Sequence, residues 1–600
     1  MTAACLRFLI VATLLIVSTS PRLLPAQDTD APSLFATKCG TCHTATPEAG
    51  NRAPTPNALR ERSPESIVNA LTGGAMRYQG LSLNGAERRL LAEFITGRKF
   101  GSNLTVPPEA RCSTLPAMRD PVSVPAWNGW GPGVENTHFQ SAAQARLTVE
   151  QVPRLKLKWA FGFPDVTAAW AQPTVVGERL YVGSQNGSVY ALDARSGCVI
   201  WTFNAEGGVR ASITIGSGNV AYFSDQKGYA YALDASTGAL RWKRLVEKHP
   251  LIRLTGSPVL HEGRLYVPTS SYEEVGKGPE YACCTFRGSI VALDAATGAE
   301  IWKAYTIAEE PRVMGKNNSG VDSLGPSGGA IWSAPTIDAG RGLIYAATGN
   351  TYSGMSQPTT DAIVAFDLKT GSLRWSRQLH PDDVYGCRNN EPNCRTSQGP
   401  DFDFGASAAL VRQSNGRTLL IAGQKSGIGY ALDPDKEGEI LWQYRAGRGS
   451  TLGGIEWGIA ADQDHAYFPV ADANSRPAGG LHAVSLSTGE RAWFTPSPSP
   501  LNCGDPSRTC NGAQSAAITV IPGVVFSGSF DGAIRAYSTS DGSVLWTFDT
   551  NREFPTVNKV PARGGSINGP ATVVVGGMIY VSSGDYRSNV GNVLLAFGVE

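Results

Sequence analysis

One phrase recurs seven times along this chain of 600 residues and constrains its fold more than any other feature. Each copy reads as an apolar strand, an Asp or Ser, a turn that contains Gly, and a second strand with a Trp. The glycine supplies the positive φ of a tight hairpin. Another strand pair precedes each copy, so the unit has four strands, which is typical of a propeller blade. The copies span residues 190–201 (YALDARSGCVIW), 231–242, 291–302, 364–375, 430–442, 482–493 and 535–546.

The two ends of this repeat complement each other. VLLAFG (593–598) has the first half of the phrase without its Trp, and LKLKWAF (155–161) has the Trp without the first half. If both belong to one shared blade, the ring closes without free strand edges. We therefore predict an all-β, eight-bladed propeller over residues 127–600, with a smaller ring or an open solenoid as the alternative.

The beginning of the chain predicts an exported protein. Residues 1–26 contain an apolar run from Phe8 to Val17 and a cleavage site after Ala26, as in a secretory signal peptide. No later stretch has eighteen consecutive apolar residues, so no transmembrane segment is expected. A net charge of +1 argues against nucleic acid as a partner. We expect a periplasmic or secreted protein.

Cysteine usage agrees with an oxidising compartment. One of the eleven cysteines lies in the signal peptide, two lie in the motif described next, and the remaining eight are an even number. Two pairs close in sequence are expected to staple loops, one pair is adjacent, and the last pairs by elimination: Cys387–Cys394, Cys503–Cys510, Cys283–Cys284 and Cys112–Cys198.

KCGTCH (38–43) predicts a covalently attached haem c. In a Cys-x-x-Cys-His motif the thiols, here Cys39 and Cys42, form thioether bonds to the haem, and His43 is an axial ligand of its iron. Met76 is expected to be the second axial ligand. A zinc site or a disulfide pair is the alternative for the cysteines, and a core methionine is the alternative for Met76.

Around this motif we predict a small all-α cytochrome c domain over residues 27–105. Residues 82–97 are expected to form one of its helices. A Pro-rich linker over residues 106–126, semi-rigid by composition, would join this domain to the propeller. The apolar face of the predicted helix contains Leu90, Leu91 and Phe94.

The spacing of the repeat is uneven. The intervals between its tryptophans, from Trp159 to Trp546, are 42, 41, 60, 73, 67, 51 and 53 residues. Insertions on a propeller usually lie on loops over one face, where binding occurs, so the three long units between Trp242 and Trp442 are expected to hold a functional site. These units contain residues suited to a cofactor or a metal: Thr255, Ser270, Glu273, Glu274, Cys283, Cys284, Trp332, Asn350, Asp403 and Lys425.

The repeats and these residues together resemble the alcohol dehydrogenases that depend on pyrroloquinoline quinone (PQQ). The resemblance runs from about residue 127 to the C-terminus, and the predicted haem domain narrows it to the quinohaemoproteins. Its N-terminal position is similar to that in the cytochrome-containing polyvinyl-alcohol dehydrogenases. In the family, a Trp beneath the quinone stands 18 residues before a metal-binding Asn, as Trp332 stands before Asn350. A Thr that contacts the quinone stands 18 residues before a metal-binding Glu, as Thr255 stands before Glu273.

The resemblance implies a PQQ site with calcium. The calcium ligands would be Glu273, Asn350 and Asp403, since hard oxygen ligands suit Ca²⁺, and Glu274 is the rival of Glu273. Gly405 stands where lanthanide-using relatives have another Asp, which favours calcium. The residues implied to bind PQQ are Arg210, Thr255, Ser270, Cys283, Cys284, Trp332 and Lys425.

The same resemblance implies the catalytic base. The family has an Asp within a Trp-Asp-Tyr-like element, which corresponds here to Phe402-Asp403-Phe404. Asp403 would accept the hydroxyl proton of an alcohol while the carbinol hydride moves to the quinone. The flanking aromatic rings would exclude water and make Asp403 a better base. Asp401 is the neighbouring rival.

Two positions depart from the family pattern. The Cys283–Cys284 pair follows Glu273 in the same blade, whereas the pair of the family lies one blade earlier, above the quinone. It either covers the quinone by a different route or only tightens a loop. Glu456-Trp457 stands where the family often has Asn-Trp near the quinone.

The implied function is that of an exported alcohol dehydrogenase. It would oxidise secondary alcohol groups, by resemblance those of polyvinyl alcohol, to ketones and pass electrons through its own haem to a soluble cytochrome c. One alternative is a dehydrogenase of small primary alcohols or aldehydes. The other is a non-catalytic propeller scaffold, which would need neither a haem nor Trp332, Asn350 and Asp403.

Overall fold

The fold is given by a computed structural model. The residues that it describes are 30–45, 53–60, 62–72, 76–80, 83, 85–98, 106–115, 118–274, 281–317, 319–381, 383–385, 399–475, 477–498, 511–585 and 589–599. The predicted signal peptide and the predicted pairs Cys387–Cys394 and Cys503–Cys510 lie outside the described residues.

Most of the described chain forms eight four-stranded antiparallel blades. Blades 1 to 3 contain Thr174–Val176, Arg179–Gly183, Ser188–Asp193 and Val199–Asn204; Thr214–Gly216, Val220–Ser224, Tyr229–Asp234 and Leu240–Leu245; and Val259–His261, Arg264–Ser271, Ser289–Asp294 and Glu300–Tyr305. Blades 4 and 5 contain Thr336–Asp338, Leu343–Ala347, Ala362–Asp367 and Leu373–Gln378; and Ala409–Arg412, Thr418–Gly423, Ile428–Asp433 and Glu439–Arg445. Blades 6 and 7 contain Ala460–Ala461, His465–Pro469, Gly480–Ser485 and Arg491–Pro496; and Thr519–Ile521, Val524–Gly528, Ala533–Ser538 and Val544–Asp549. Blade 8 contains Val573–Val575, Met578–Ser583, Val593–Gly598 and Lys156–Gly162.

Blade 8 closes the ring with strands from both ends of the repeat. Lys156–Gly162 pairs antiparallel with Val593–Gly598, so the half-phrase with the Trp completes the half-phrase without it. Apolar side chains fill the space between every two neighbouring blades, including blades 8 and 1. The predicted eight-bladed propeller is confirmed, and an open solenoid is excluded.

The repeat phrase holds neighbouring blades together. The indole of Trp242 packs against the turn of the next blade, where a Cβ on Gly298 would lie only 2.8 Å from the ring. Its Nε1 donates a hydrogen bond to the carbonyl of Ala295 in that turn (3.0 Å). Trp201 and Gly238 repeat the same contact one blade earlier. The Trp of one copy and the Gly of the next are therefore two halves of one interface.

Residues 126–140, here called the strap, bind the first strands of seven blades. Because the blades of a propeller surround a central channel, a segment of this length that reaches so many first strands must run over that channel. The residues of the blades that pair or hydrogen-bond with the strap are Val175, Ile215, Ile337, Leu410, Ala461, Val520 and Val574.

A few short elements lie outside this ring. Ala126–Trp127 and Ile252–Arg253 add a strand to blades 1 and 3, and two further hairpins pair Arg312–Lys316 with Asp322–Gly325 and Glu553–Phe554 with Ala562–Arg563. The remaining short helix is Ala142–Ala145, and the 3-10 turns are Pro108–Ala110, Pro121–Ser123, Val152–Arg154 and Pro434–Lys436.

The N-terminal part of the described chain is helical. Its helices are Ala31–Lys38, Pro56–Arg60, Pro64–Thr72, Arg77–Gly80 and Gly85–Thr96. The last of these matches the predicted helix, but the prediction of its apolar face was wrong for two residues. Leu91 is fully buried, whereas Leu90 and Phe94 are 40% and 44% exposed, because the helix turns Leu91, Ala92 and Ile95 towards the core.

The segment between the helices and the propeller is attached to blade 1. A disulfide joins Cys112 to Cys198, as expected, and the N–H of Cys112 donates to the carbonyl of Val199 (3.1 Å). Within the described residues, every helix is too short or too polar to span a bilayer.

Candidate active site

Three residues implied to bind the cofactor line one cavity. Arg210, Thr255 and Trp332 come from blades 2 to 4 of the ring and reach the same space. Three further tryptophans, Trp130, Trp170 and Trp457, complete an aromatic wall around it. A cavity lined by four tryptophans and one arginine suits a planar anionic ligand.

Trp332, the predicted floor of the quinone site, is closely packed on two sides. The ring of Trp457 meets its edge, with centroids 5.0 Å apart. Gly405 lies against it so closely that a Cβ there would be 1.9 Å from the ring. The residue after the Phe402-Asp403-Phe404 element must therefore be glycine, because any side chain would occupy the space of the indole.

Arg210 is stacked between two of the cavity tryptophans. Its guanidinium carbon lies 4.1 Å from the ring centroid of Trp457 and 4.9 Å from that of Trp170. Stacking of this kind holds the charged guanidinium group in a fixed position at the wall of the cavity. Glu456, next to Trp457, is buried and accepts a hydrogen bond from Ser515 (2.6 Å), so this departure from the family pattern also lies at the site.

Lys425 joins the two candidate base residues. Its Nζ donates to Asp401 Oδ1 (3.0 Å) and to Asp403 Oδ2 (3.1 Å), and all three side chains are buried. Although burial opposes it, the surrounding carboxylates raise the pKa of Lys425 well above its usual range. The same Nζ lies 5.3 Å from the ring centroid of Trp332. The predicted base and the predicted quinone-binding lysine are thus one hydrogen-bonded unit beside the aromatic floor.

The two aspartates of this unit differ in their surroundings. Burial, with the nearby charge of Asp403, raises the pKa of Asp401 well above its usual value in spite of Lys425. Asp403 accepts a second hydrogen bond at Oδ1, from the backbone N–H of Asn350 (2.9 Å). With a donor on each oxygen, the carboxylate of Asp403 is fixed in orientation, and the choice of base between Asp403 and Asp401 stays a prediction.

Asn350 presents an oxygen suited to a cation. Its side-chain amide is fully buried, and Nδ2 donates to the carbonyls of Thr351 and Tyr385 (2.8 Å each). Its Oδ1 has no hydrogen-bond partner among the described residues. A buried acceptor without a donor is costly, and a Ca²⁺ ion is a natural partner for an amide oxygen. The donor set therefore fits the implied metal.

Glu273 and Glu274 lie in different environments. Glu273 is fully buried, and its oxygens accept hydrogen bonds from Tyr281 and the backbone N–H groups of Thr285 and Phe286. The charge of Glu274 is among those that raise the pKa of both Asp401 and Lys425. Glu274 therefore lies near the base, whereas Glu273 holds the following loop. The assignment of the metal ligand between them stays a prediction.

The adjacent cysteines lie at the same site. A disulfide joins Cys283 to Cys284, and the pair packs with Trp332 and Tyr352 in one apolar cluster. Among the described residues, Glu273 and this pair are the only three acidic, histidine or cysteine ligand groups within 4.8 Å of one another. They do not form a metal site, because the sulfurs are disulfide-bonded and the Glu273 oxygens are occupied. The pair lies beside Trp332, and whether it covers the quinone or only tightens the loop stays a prediction.

Ser270, also implied to bind PQQ, is buried in the third blade. Its hydroxyl donates to the backbone carbonyl of Arg253, in the short extra strand beside it. The hydroxyl therefore positions a neighbouring strand, and the structure gives it no direct contact with the aromatic cavity.

The haem-binding candidates lie together at the end of the first helix. Cys39 and Cys42 are both thiols, and His43 is buried, with its Nδ1 2.7 Å from the carbonyl of Pro54. This contact orients the imidazole and leaves Nε2 for iron, as in many metal-bound histidines. Met76 packs against the core of the same helices.

Asp383 contributes to the site without belonging to any motif. Its carboxylate is buried and accepts hydrogen bonds from the backbone N–H groups of Phe402 (2.7 Å), Tyr385 (3.2 Å) and Asp401 (3.4 Å). It therefore fixes both the loop of the candidate base and the carbonyl that orients Asn350. Only the folded loop brings these amides together, so spacing in the sequence carries no signal for this residue.

Sequence comparison finds a matching family model and two relatives that match nearly the whole chain. A family model described as outer membrane protein assembly factor BamB matches residues 151–380 and 287–503. Polyvinylalcohol dehydrogenase from a Pseudomonas species is 40% identical over 95% of this chain and 94% of its own length. The enzyme of the same name from Sphingopyxis sp. (strain 113P3) is 37% identical over 97% of this chain and 94% of its own length.

A solved structure has the same fold. The crystal structure of quinohemoprotein alcohol dehydrogenase from Comamonas testosteroni is similar with a TM-score of 0.58 and 19% sequence identity, and the match covers 79% of this chain and 80% of that chain. At this identity the likeness establishes the propeller fold, and the membership rests on the two relatives that match nearly the whole chain. The chain belongs to the family of the polyvinyl alcohol dehydrogenases, which are alcohol dehydrogenases of the PQQ-propeller type.

Proposed function

We propose that this protein oxidises secondary alcohol groups to ketones, with polyvinyl alcohol as a substrate, using PQQ, Ca²⁺ and its own haem c. A soluble cytochrome c would accept the electrons, and the reaction would take place in the periplasm or outside the cell. The names of the two relatives support the substrate. The observation that carries the chemistry is the buried unit of Lys425, Asp401 and Asp403 beside Trp332.

The base acts at a defined atom. Asp403 accepts the hydroxyl proton of the alcohol, and two donors, the N–H of Asn350 and the ammonium of Lys425, keep its carboxylate in position. When bound, PQQ would supply the acceptor for the carbinol hydride, and Ca²⁺ would supply Lewis-acid assistance to it. Phe404 is fully buried next to the base and excludes water from this side.

The chain offers a binding surface for each end of the quinone. Trp332 supplies the floor, Arg210 a cation for its carboxylates, and Thr255 a hydroxyl from the same cavity. Asn350 Oδ1, Asp403 and one carboxylate of the Glu273–Glu274 pair would hold the calcium.

The N-terminal helices would hold the haem. Cys39 and Cys42 would bind its vinyl groups, and His43 and Met76 its iron. When bound, haem c carries the electrons onward one at a time. Met as the second axial ligand gives a high potential, which suits an acceptor of electrons from a reduced quinone.

The test is optical. The exported protein, with its haem in place, is reconstituted with PQQ and Ca²⁺, and the haem absorption bands are followed after addition of ethanol, 2-propanol or polyvinyl alcohol. We expect reduction by the secondary alcohols and the polymer. Reduction by ethanol alone would contradict the substrate, and no reduction by any alcohol would contradict the dehydrogenase.

Two matched variants test the base. Asp403→Asn should lower the rate of haem reduction about 1,000-fold while PQQ stays bound, because the amide accepts no proton. Asp401→Asn is the control and should retain most of the activity. The opposite pattern would assign the base to Asp401.

A further inference from the structure

One repeat position differs in the blade that holds Trp332 and Asn350. It is the residue directly before the third strand, whose carbonyl accepts the N–H of the residue that follows the fourth strand. In blade 4 this residue is Asp361, and in blade 8 it is Asn592. The other six blades have glycine there: Gly187, Gly228, Gly288, Gly427, Gly479 and Gly532.

Glycine is the residue that folding favours at this position. Four of the six glycines have φ between 79° and 94°, where a side chain is unfavourable, and Asp361 itself has φ 48°. Such a conformation costs a non-glycine residue about 1–2 kcal/mol. The backbone conformation therefore does not explain the aspartate in blade 4, because glycine would adopt this conformation at a lower cost in free energy.

The side chain of Asp361 is also unfavourable in isolation. The residue is fully buried, and neither carboxylate oxygen has a hydrogen-bond partner among the described residues. Nearby charges add to the cost, since Asp403 and Asp383 are among its closest charged neighbours. A buried carboxylate with no donor needs a positive partner to hold its charge.

Asp361 lies beside the candidate metal ligands. Its N–H donates to the carbonyl of Gly349 (3.1 Å), the residue before Asn350. Asp403 covers the same glycine, since a Cβ on Gly349 would lie 2.7 Å from Asp403 Oδ1. Among the described residues, Asn350 Oδ1 and the carboxylate of Asp361 are therefore two buried acceptors without a donor, and they lie at the ends of neighbouring strands.

We propose that Asp361 is an additional ligand of the cation bound by Asn350 and Asp403. The inference rests on the calcium in the proposed function, and it adds a residue outside the ligand set that the family resemblance implies. A cation would satisfy both unpartnered acceptors at once, and it would balance the charge that blade 4 has gained over the other blades.

Within the described residues, the obvious protein partners of Asp361 are already engaged. The ammonium of Lys425 bonds Asp401 and Asp403. The backbone N–H groups of the base loop go to Asp383. In the part of the chain that the structure describes, no donor lies within hydrogen-bonding distance of the Asp361 carboxylate, and a bound cation would satisfy it.

The experiment measures Ca²⁺ binding by calorimetry to the full-length, haem-containing protein after chelation, with and without PQQ. Asp361→Gly restores the residue of six other blades, so its melting temperature in chelator should not fall below that of the wild type. Its Kd for Ca²⁺ should rise about tenfold or more, because affinity follows the number of charged ligands. Asn592→Gly changes the same repeat position in blade 8 and should leave the Kd unchanged.

Asp361→Asn is the second variant, since Asn tolerates positive φ and keeps the size of the side chain. An unchanged Kd in both Asp361 variants would overturn the inference, and alcohol-dependent haem reduction in the wild type would then leave the proposed function standing. Wild-type protein that binds no Ca²⁺ with or without PQQ would overturn the inference and the calcium together. Absence of alcohol oxidation with Asp361-dependent Ca²⁺ binding retained would contradict the proposed function alone.

Discussion

A single ammonium group holds two carboxylates inside this protein. Lys425 bonds both Asp401 and Asp403, and all three side chains are buried. Such a group is stable only as a unit, because removing one partner leaves the others without their charge balance. The arrangement fixes the position of the Asp403 carboxylate through Lys425.

Lys425→Met should therefore destabilise the protein by about 3–5 kcal/mol in the presence of chelator, since it leaves two buried carboxylates without a cation. Unfolding in denaturant, followed by tryptophan fluorescence, measures the loss. The double variant Lys425→Met/Asp401→Asn removes one of the two carboxylates and should recover part of the stability. Equal stability of the single and double variants would show that Asp401 does not depend on Lys425.

Substitution of the two adjacent glutamates tests which of them binds the metal. Glu274→Gln should weaken Ca²⁺ binding about tenfold, because its charge acts on the base and its lysine. Glu273→Gln should mainly lower the melting temperature, because Glu273 accepts the N–H groups of the loop after the cysteine pair. Calorimetry and thermal unfolding of both variants decide between them. Weaker Ca²⁺ binding in Glu273→Gln alone would assign the ligand as the 18-residue offset predicts.

At the scale of the blade, the Trp of one repeat and the turn Gly of the next act as one contact. The contact explains why both residues recur in the phrase. Trp546 has a different partner, because the last two strands of blade 8 come from opposite ends of the repeat and no turn joins them. Its ring meets Phe597 of blade 8, with centroids 5.5 Å apart.

Two glycines of blade 3 allow the cost of backbone strain to be measured separately from the cost of a clash with the indole. Gly298 and Gly263 have φ 71° and 73°, but a Cβ on Gly298 would meet Trp242 at 2.8 Å, whereas one on Gly263 would meet nothing within 4 Å. Gly263→Ala should cost about 1 kcal/mol from strain alone. Gly298→Ala should cost clearly more, measured by denaturant unfolding. Equal losses would mean that the indole moves freely.

The sequence predicts the ring because its contacts repeat, and it predicts site residues only where the family has a matching offset or motif. Trp332 and Asn350 follow from an offset and Asp403 from a motif, whereas Asp383 is recognised only once the base loop has folded onto its carboxylate. Asp361 could have been found in the sequence, as the aspartate in a column of glycines. The column is visible only after the strands are aligned by their hydrogen bonds, because the copies of the phrase begin after this position.

At the scale of the whole molecule, the strap connects blades that are distant in sequence. Its residue His138 lies between the rings of Trp127 and Trp130, and Nδ1 lies 2.9 Å from the carbonyl of Ile518, 380 residues away. No periodic pattern in the sequence predicts such a segment. Its contacts are hydrogen bonds from individual side chains and backbone groups to many blades, and they do not recur at a fixed spacing.

Burial makes this connection sensitive to acid. It lowers the pKa of His138 to about 4 from an ordinary value of 6.5. Between these values the unfolded chain binds a proton that the folded protein does not, so stability falls as the pH decreases from 6.5 towards 4. At pH 5, which lies about 1.5 pH units below the ordinary pKa, protonation of His138 in the unfolded chain lowers the free energy of unfolding by about 2 kcal/mol. Above pH 7 the imidazole is neutral in both states and contributes no pH dependence.

His138→Asn should remove this part of the acid sensitivity. Asparagine tolerates the φ of 53° at this position, and its Nδ2 can replace Nδ1 as a donor to the carbonyl of Ile518. The variant is expected to be less stable than the wild type at pH 7.5, because the imidazole packs between two tryptophans. From pH 7.5 to pH 5, however, it should lose about 2 kcal/mol less than the wild type does, measured by denaturant unfolding at both values. An equal loss in the two proteins would place the acid sensitivity elsewhere, with the buried His482, whose pKa burial also lowers to about 4, as the next residue to replace.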